Sequence, residues 1–73
     1  MKLPILKPRE LARILKRLGF TLARQKGSHA YFKHRDGRAT VVPIHHGEDV
    51  APGTLRAILD DIEISLEDFI EEI

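Results

Sequence analysis

The sequence predicts an α+β domain in which a three-stranded antiparallel sheet carries helices on one face, in the order α-β-β-β-α-α. Three observations predict it. Two stretches, one before residue 20 and one after residue 50, place apolar residues at i, i+3, i+4 and i+7, the stripe of an amphipathic helix. Between them lie three short runs with period-two patterning, separated by glycine turns. The chain has 73 residues, which fits a single domain over positions 1–73.

The first helix starts at Pro8-Arg9-Glu10, because proline is tolerated where the first-turn N–H has no partner. Leu11, Ile14, Leu15 and Leu18 form its apolar face, and Arg9, Arg13, Lys16 and Arg17 lie largely off it. Gly19 ends it as a left-handed C-terminal residue. A strand follows over Phe20–Arg24, with Phe20 and Leu22 on one face, and Lys26-Gly27-Ser28 forms the turn. The second strand is His29–His34. Alternation turns Ala30 and Phe32 inward and His29, Tyr31 and Lys33 outward. Asp36-Gly37 is a hairpin signal, since the turn needs positive φ. The third strand runs from Ala39 to Ile44. Pro43 cannot donate to a ladder, so this strand lies at the sheet edge or ends there. After a polar loop over residues 45–51, Pro52-Gly53-Thr54 opens a helix with Leu55, Ile58, Leu59 and Ile62 in register. Ser65 caps a final short helix with Asp68 as its capping-box partner, and Leu66, Phe69, Ile70 and Ile73 form its apolar side.

Composition excludes several classes. Hydrophobic residues make up 42% and charged residues 32%, a globular rather than disordered balance. There is no cysteine, so neither a disulfide nor a thiolate metal site supports the small core. No apolar run is long enough to span a membrane, and the apolar stretch within residues 1–8 is too short for a signal peptide. A cytoplasmic location, no membrane contact and no cofactor are the expectations. The net charge of +1 hides an asymmetry. Residues 1–38 hold 11 Lys/Arg against 2 Asp/Glu, while residues 39–73 hold 1 against 9. A half at +9 and a half at −8 suggest one anion-binding surface and one surface with another role.

The chemistry concentrates at Gly27-Ser28-His29, fronted by Arg24 and Lys26. An imidazole titrates close to physiological pH and serves as acid or base with little tuning. Gly27 and Ser28 offer backbone N–H groups to a phosphate, and Arg24, Lys26, Lys33, Arg35 and Arg38 cluster around one turn and one hairpin. RNA brings its own nucleophile, the 2′-hydroxyl. A protein that holds the phosphate and moves protons can cleave it without a metal. His29 is the general acid/base in this reading, with Lys26 or Lys33 stabilising the phosphorane charge. Tyr31 either stacks on a base or packs as an ordinary sheet residue. Ser28 lacks an acidic orienter for a triad, which argues against a serine nucleophile. His34, five residues from His29, falls on the opposite strand face. With His45, His46, Glu48 and Asp49 it forms no recognised metal-ligand spacing, so no metal is expected. His45 or His46 assists His29 only if their loop folds over it. The acidic residues from Asp60 to Glu72 read first as a solvated helical face.

Gly19-Phe20, Gly27-Ser28-His29, Val42-Pro43-Ile44-His45, Gly47 and Pro52-Gly53-Thr54-Leu55-Arg56-Ala57-Ile58-Leu59 together resemble the HicA (YcfA-like) toxins. The set covers essentially the whole chain, in order. The resemblance implies a double-stranded-RNA-binding-domain-like fold and mRNA interferase activity within a toxin–antitoxin pair. It carries the family's catalytic histidine onto His29 and implies a HicB-type antitoxin as partner. Two readings stand beside it: a non-catalytic RNA-binding module using the same basic surface, and a domain whose exposed face binds only another protein.

Overall fold

The computed structural model describes residues 2–73. Its elements are α1 (Pro8–Arg17), β1 (Phe20–Lys26), β2 (His29–His34), β3 (Ala39–Pro43), α2 (Pro52–Ile62) and α3 (Leu66–Ile70). The strands pair antiparallel in the order β1-β2-β3, so the expected α-β-β-β-α-α layout with an open sheet is what forms. β1 runs two residues further than its periodicity suggested, and β3 ends at Pro43, one residue earlier. Pro43 thus sits at the last position of an edge strand, where its missing N–H costs no ladder bond.

The core lies between the sheet and the helices. Leu11, Ile14 and Leu15 from α1 meet Leu55, Ile58, Leu59 and Ile62 from α2, over Phe20, Ala30, Phe32 and Val42 from the strands. Each of these side chains is at most 6% exposed, and complete burial of one such residue contributes roughly 1.5–3 kcal/mol. Phe69 of α3 closes one end, held by Ser65, whose Oγ accepts the Asp68 N–H at 3.1 Å. Ile73, expected on the apolar side of α3, is 62% exposed. At the other end the Glu10 carboxylate accepts the Lys7 N–H at 2.8 Å and fixes the entry to α1.

One irregularity matters for function. Leu22 pairs with Phe32 and Arg24 with Tyr31, so Ala23 is an extra residue and β1 bulges there. Beyond the bulge Gln25 pairs with Ala30 and Lys26 with His29. The bulge keeps Arg24 and Lys26 on the outer face. It also bends the far half of β1 past the helices: Phe20 is 1% exposed, but Leu22, on the same face, is 45% exposed.

Candidate nucleic-acid interface

The outer face of the sheet carries no helix. From β2 it presents His29, Tyr31 and Lys33, which pair with Pro43, Val41 and Ala39 of β3. From β1 it presents Thr21, Arg24 and Lys26. His29 is exposed, and among the described residues no side-chain hydrogen bond or ion pair engages its imidazole. Lys26 stands directly across from it. The turn between them needs Gly27, whose φ of 59° is left-handed. Next to Gly27, the Ser28 carbonyl accepts the Ile44 N–H at 2.6 Å, tying the turn to the exit of β3. The imidazole therefore projects from a backbone held on both sides.

One step along the strand, the Arg24 guanidinium lies 4.7 Å from the centroid of the Tyr31 ring. This cation–π contact fixes both groups on the open face. Tyr31 is half-buried, and Lys33 is exposed one residue pair further on. A strand rises about 3.3 Å per residue, so His29, Tyr31 and Lys33 repeat every ~6.6 Å along the open face. The sequence-predicted residues Arg24, Lys26, Gly27, Ser28, His29, Tyr31 and Lys33 are brought together on one face and its rim. Arg35 lies in the β2–β3 turn at the other end of β2, exposed and apart from them.

Arg38 does not join this surface. Its guanidinium donates to Asp36 Oδ2 at 2.8 Å and to the Ile62 carbonyl at the end of α2, and it lies 5.1 Å from the Phe20 ring centroid. It pins the β2–β3 turn to the helical layer. His34 belongs to the same assembly. Its ring meets Phe20 edge-on at a centroid distance of 5.0 Å, and its Nδ1 accepts the Asp36 N–H at 3.1 Å. The Arg38 backbone N–H, and then its guanidinium, hold the Asp36 carboxyl below the usual carboxylate range. His45 and His46 do not fold over His29. They line a separate groove on the helical side together with residues of α1. Among the described residues, no three His, Asp or Glu side chains converge as a metal-ligand set.

A small α+β domain with a helix-backed sheet and a cationic open face bearing one free imidazole defines the class. Within it, residues 8–64 match the family described as the HicA toxin of bacterial toxin–antitoxin systems, and the chain belongs to that family. The match begins at the first residue of α1 and ends just past α2, so α3 and the acidic tail lie beyond it. Among curated proteins none matches the chain. No helix among the described residues is long and apolar enough to cross a membrane.

Proposed function

We propose that this toxin is a metal-independent endoribonuclease that cleaves mRNA in the cytoplasm, with His29 as general acid/base. The observation that carries the reading is the free His29 imidazole on an open sheet face, directly across from Lys26 and beside the Gly27–Ser28 turn. RNA laid along this face has its phosphates within reach of Lys26, Arg24 and Lys33. His29 takes the proton of the 2′-hydroxyl as that oxygen attacks the adjacent phosphorus. The bond from phosphorus to the 5′-oxygen then breaks, and the imidazolium returns the proton to that leaving oxygen. Lys26 and the N–H groups of the turn stabilise the charge that builds on the non-bridging oxygens. The Tyr31–Arg24 pair provides a flat surface on which the neighbouring base stacks. A HicB-type antitoxin silences the enzyme by covering this face, where RNA and antitoxin then compete.

The test is purified protein with mRNA transcripts, with and without excess EDTA. Cleavage should survive the chelator and leave 2′,3′-cyclic phosphate or 3′-phosphate ends, because the 2′-hydroxyl is the nucleophile. Products with 3′-hydroxyl ends, or activity restored only by added metal, would instead require a metal-bound water. Retention of RNA without cleavage would reduce the protein to an RNA-binding module.

A further inference from the structure

A second surface is built on the other side of the sheet. α1 and the far half of β1 diverge to leave a groove of about 760 Å³, closed at one end by the loop after β3. Leu22, Ala30, Phe32 and Ile44 form its floor. Leu22 is 45% exposed there because the bulge at Ala23 carries β1 out from under the helices. Arg9, Arg13 and Lys16 line the α1 wall. They are spaced i, i+4 and i+7, one stripe spanning about 10 Å of helix. All three are exposed, and none has an ion-pair partner among the described residues, whereas Lys7 pairs with Asp49 and Arg17 with Glu72.

An apolar floor beside a row of unpaired cations suits a chain that is apolar on one side and acidic on the other. RNA fits it less well. Nucleobases stack on exposed rings along their path; the floor offers none, since Phe32 is only 2% exposed, and the two imidazoles that line the groove, His45 and His46, both belong to the loop that closes one end. The protein's own acidic segment does not supply the occupant either. The apolar side of α3 is committed to its own core, with Phe69 fully buried.

We propose that this groove is the seat of an acidic, amphipathic segment of a protein partner, and that the partner is the antitoxin. Naming the partner rests on the toxin function proposed above; the chemistry of the groove does not. The antitoxin then holds the toxin by two surfaces, of which only the open sheet face is contested by RNA. The groove is reached round the rim at Ser28 and Ile44, so the segment anchored in it leaves the adjacent His29 face to be covered by the rest of the partner.

Amide chemical shifts of the full chain can test this with three probes: a short helical peptide with leucine at i, i+3, i+4 and i+7 and glutamate elsewhere, the same peptide with lysine in place of glutamate, and a short single-stranded oligoribonucleotide. The acidic peptide should shift Leu22, Gln25 and Ile44, and the basic peptide should not. The triple variant Arg9→Glu, Arg13→Glu, Lys16→Glu changes only exposed side chains and should weaken the acidic peptide at least about tenfold. Leu22→Asp should weaken it without touching the cations. Failure of the acidic peptide to bind, binding that maps to Tyr31 and Lys33, or equal affinity for the triple variant would overturn the proposal. So would RNA shifting Leu22 and Ile44. RNA shifts at Lys26, Tyr31 and Lys33 report separately on the catalytic face, so either reading can fail while the other stands.

Discussion

The two ends of β2 each carry a histidine, and the structure treats them in opposite ways. At the β1–β2 end His29 is exposed, faces solvent from the open side of the sheet, and stands across from a lysine. At the β2–β3 end His34 has a side chain only 17% exposed, edge-on to Phe20, hydrogen-bonded to Asp36 and walled in by Gly19. The same residue type is left free on the open face at one end, where the proposed mechanism uses it as the proton carrier, and is a packing piece at the other. Strand parity decides which is which. Five residues apart means opposite faces, and only one face has helices over it. An imidazole that is to move protons must be free to meet substrate. One already bonded and packed contributes to stability instead.

The largest effect expected from this contrast is a crossed pair of alanine variants. His29→Ala should lower RNA cleavage about a hundred- to ten-thousandfold, the range for losing a general acid or base, and leave the thermal midpoint near wild type. His34→Ala should do the reverse, losing roughly 1–2 kcal/mol of stability through the edge-on contact with Phe20 and its partial burial. Its activity per folded molecule should remain. Rate assays beside thermal melts decide it. A His29→Ala protein that cuts at the wild-type rate, or a His34→Ala protein that is folded but dead, would reverse the assignment of the two ends.

Much of this contrast was legible in the sequence. Periodicities of 3.6 and two gave the element order. Parity within His29–His34 placed His29, Tyr31 and Lys33 together on one face and His34 on the other. What was not legible depended on local twist and on distant packing. The bulge at Ala23 has no glycine or other marker, so the pattern puts Leu22 on one face with Phe20 and gives no sign that β1 runs out from under the helices there. Arg38 read as one more cation on the basic surface, yet it turns to the helical side because the end of α2 offers a carbonyl there. His45 and His46 sit in a loop, where no periodicity predicts direction. The groove they help to line joins residues from α1, β1 and the loop after β3, distant in sequence, and no single motif signals it.

Gly19→Ala probes the pinned end next. Gly19 has φ +97°, and a Cβ built there would lie 2.8 Å from His34 Nε2. The substitution therefore strains the backbone and also pushes against a ring wedged on Phe20. A loss of roughly 1–3 kcal/mol is expected by denaturant unfolding. Combined with His34→Ala, the loss should fall below the sum of the two singles, because the clash has been removed. Strict additivity would mean that Gly19 and His34 do not support one another.

On the open face that carries His29, Lys26→Ala with Lys33→Ala should weaken binding of unrelated RNAs about equally. Each lost phosphate contact should flatten the log–log salt dependence by roughly 0.7 for a single strand. Lys26 lies beside His29 and Lys33 further along the face, so the singles should separate them. Lys26→Ala is expected to lower the cleavage rate of bound RNA as well, and Lys33→Ala to lower affinity alone. An unchanged salt slope in the double variant would take both lysines off the RNA path.

The smallest effect concerns Asp36 and returns to the pinned end. Its carboxyl is held below the usual range, first by the Arg38 backbone N–H, then by the Arg38 guanidinium, with the nearby His34 adding to the same direction. A carboxyl whose folded value is depressed stabilises the fold in full above its unfolded value. That contribution is lost as pH falls through the folded value, where the charge that Arg38 and His34 face disappears. Asp36 is open to solvent, so screening keeps the contribution small. Asp36→Asn should therefore melt slightly below wild type at neutral pH, and the gap should close as the medium becomes strongly acid, where wild-type Asp36 is itself neutral. The same substitution should leave RNA cleavage unchanged, since Asp36 orders the turn behind His34 and not the rim that carries His29. A melting gap that persists at every pH would show that Asp36 acts through the shape of the turn and not through its charge.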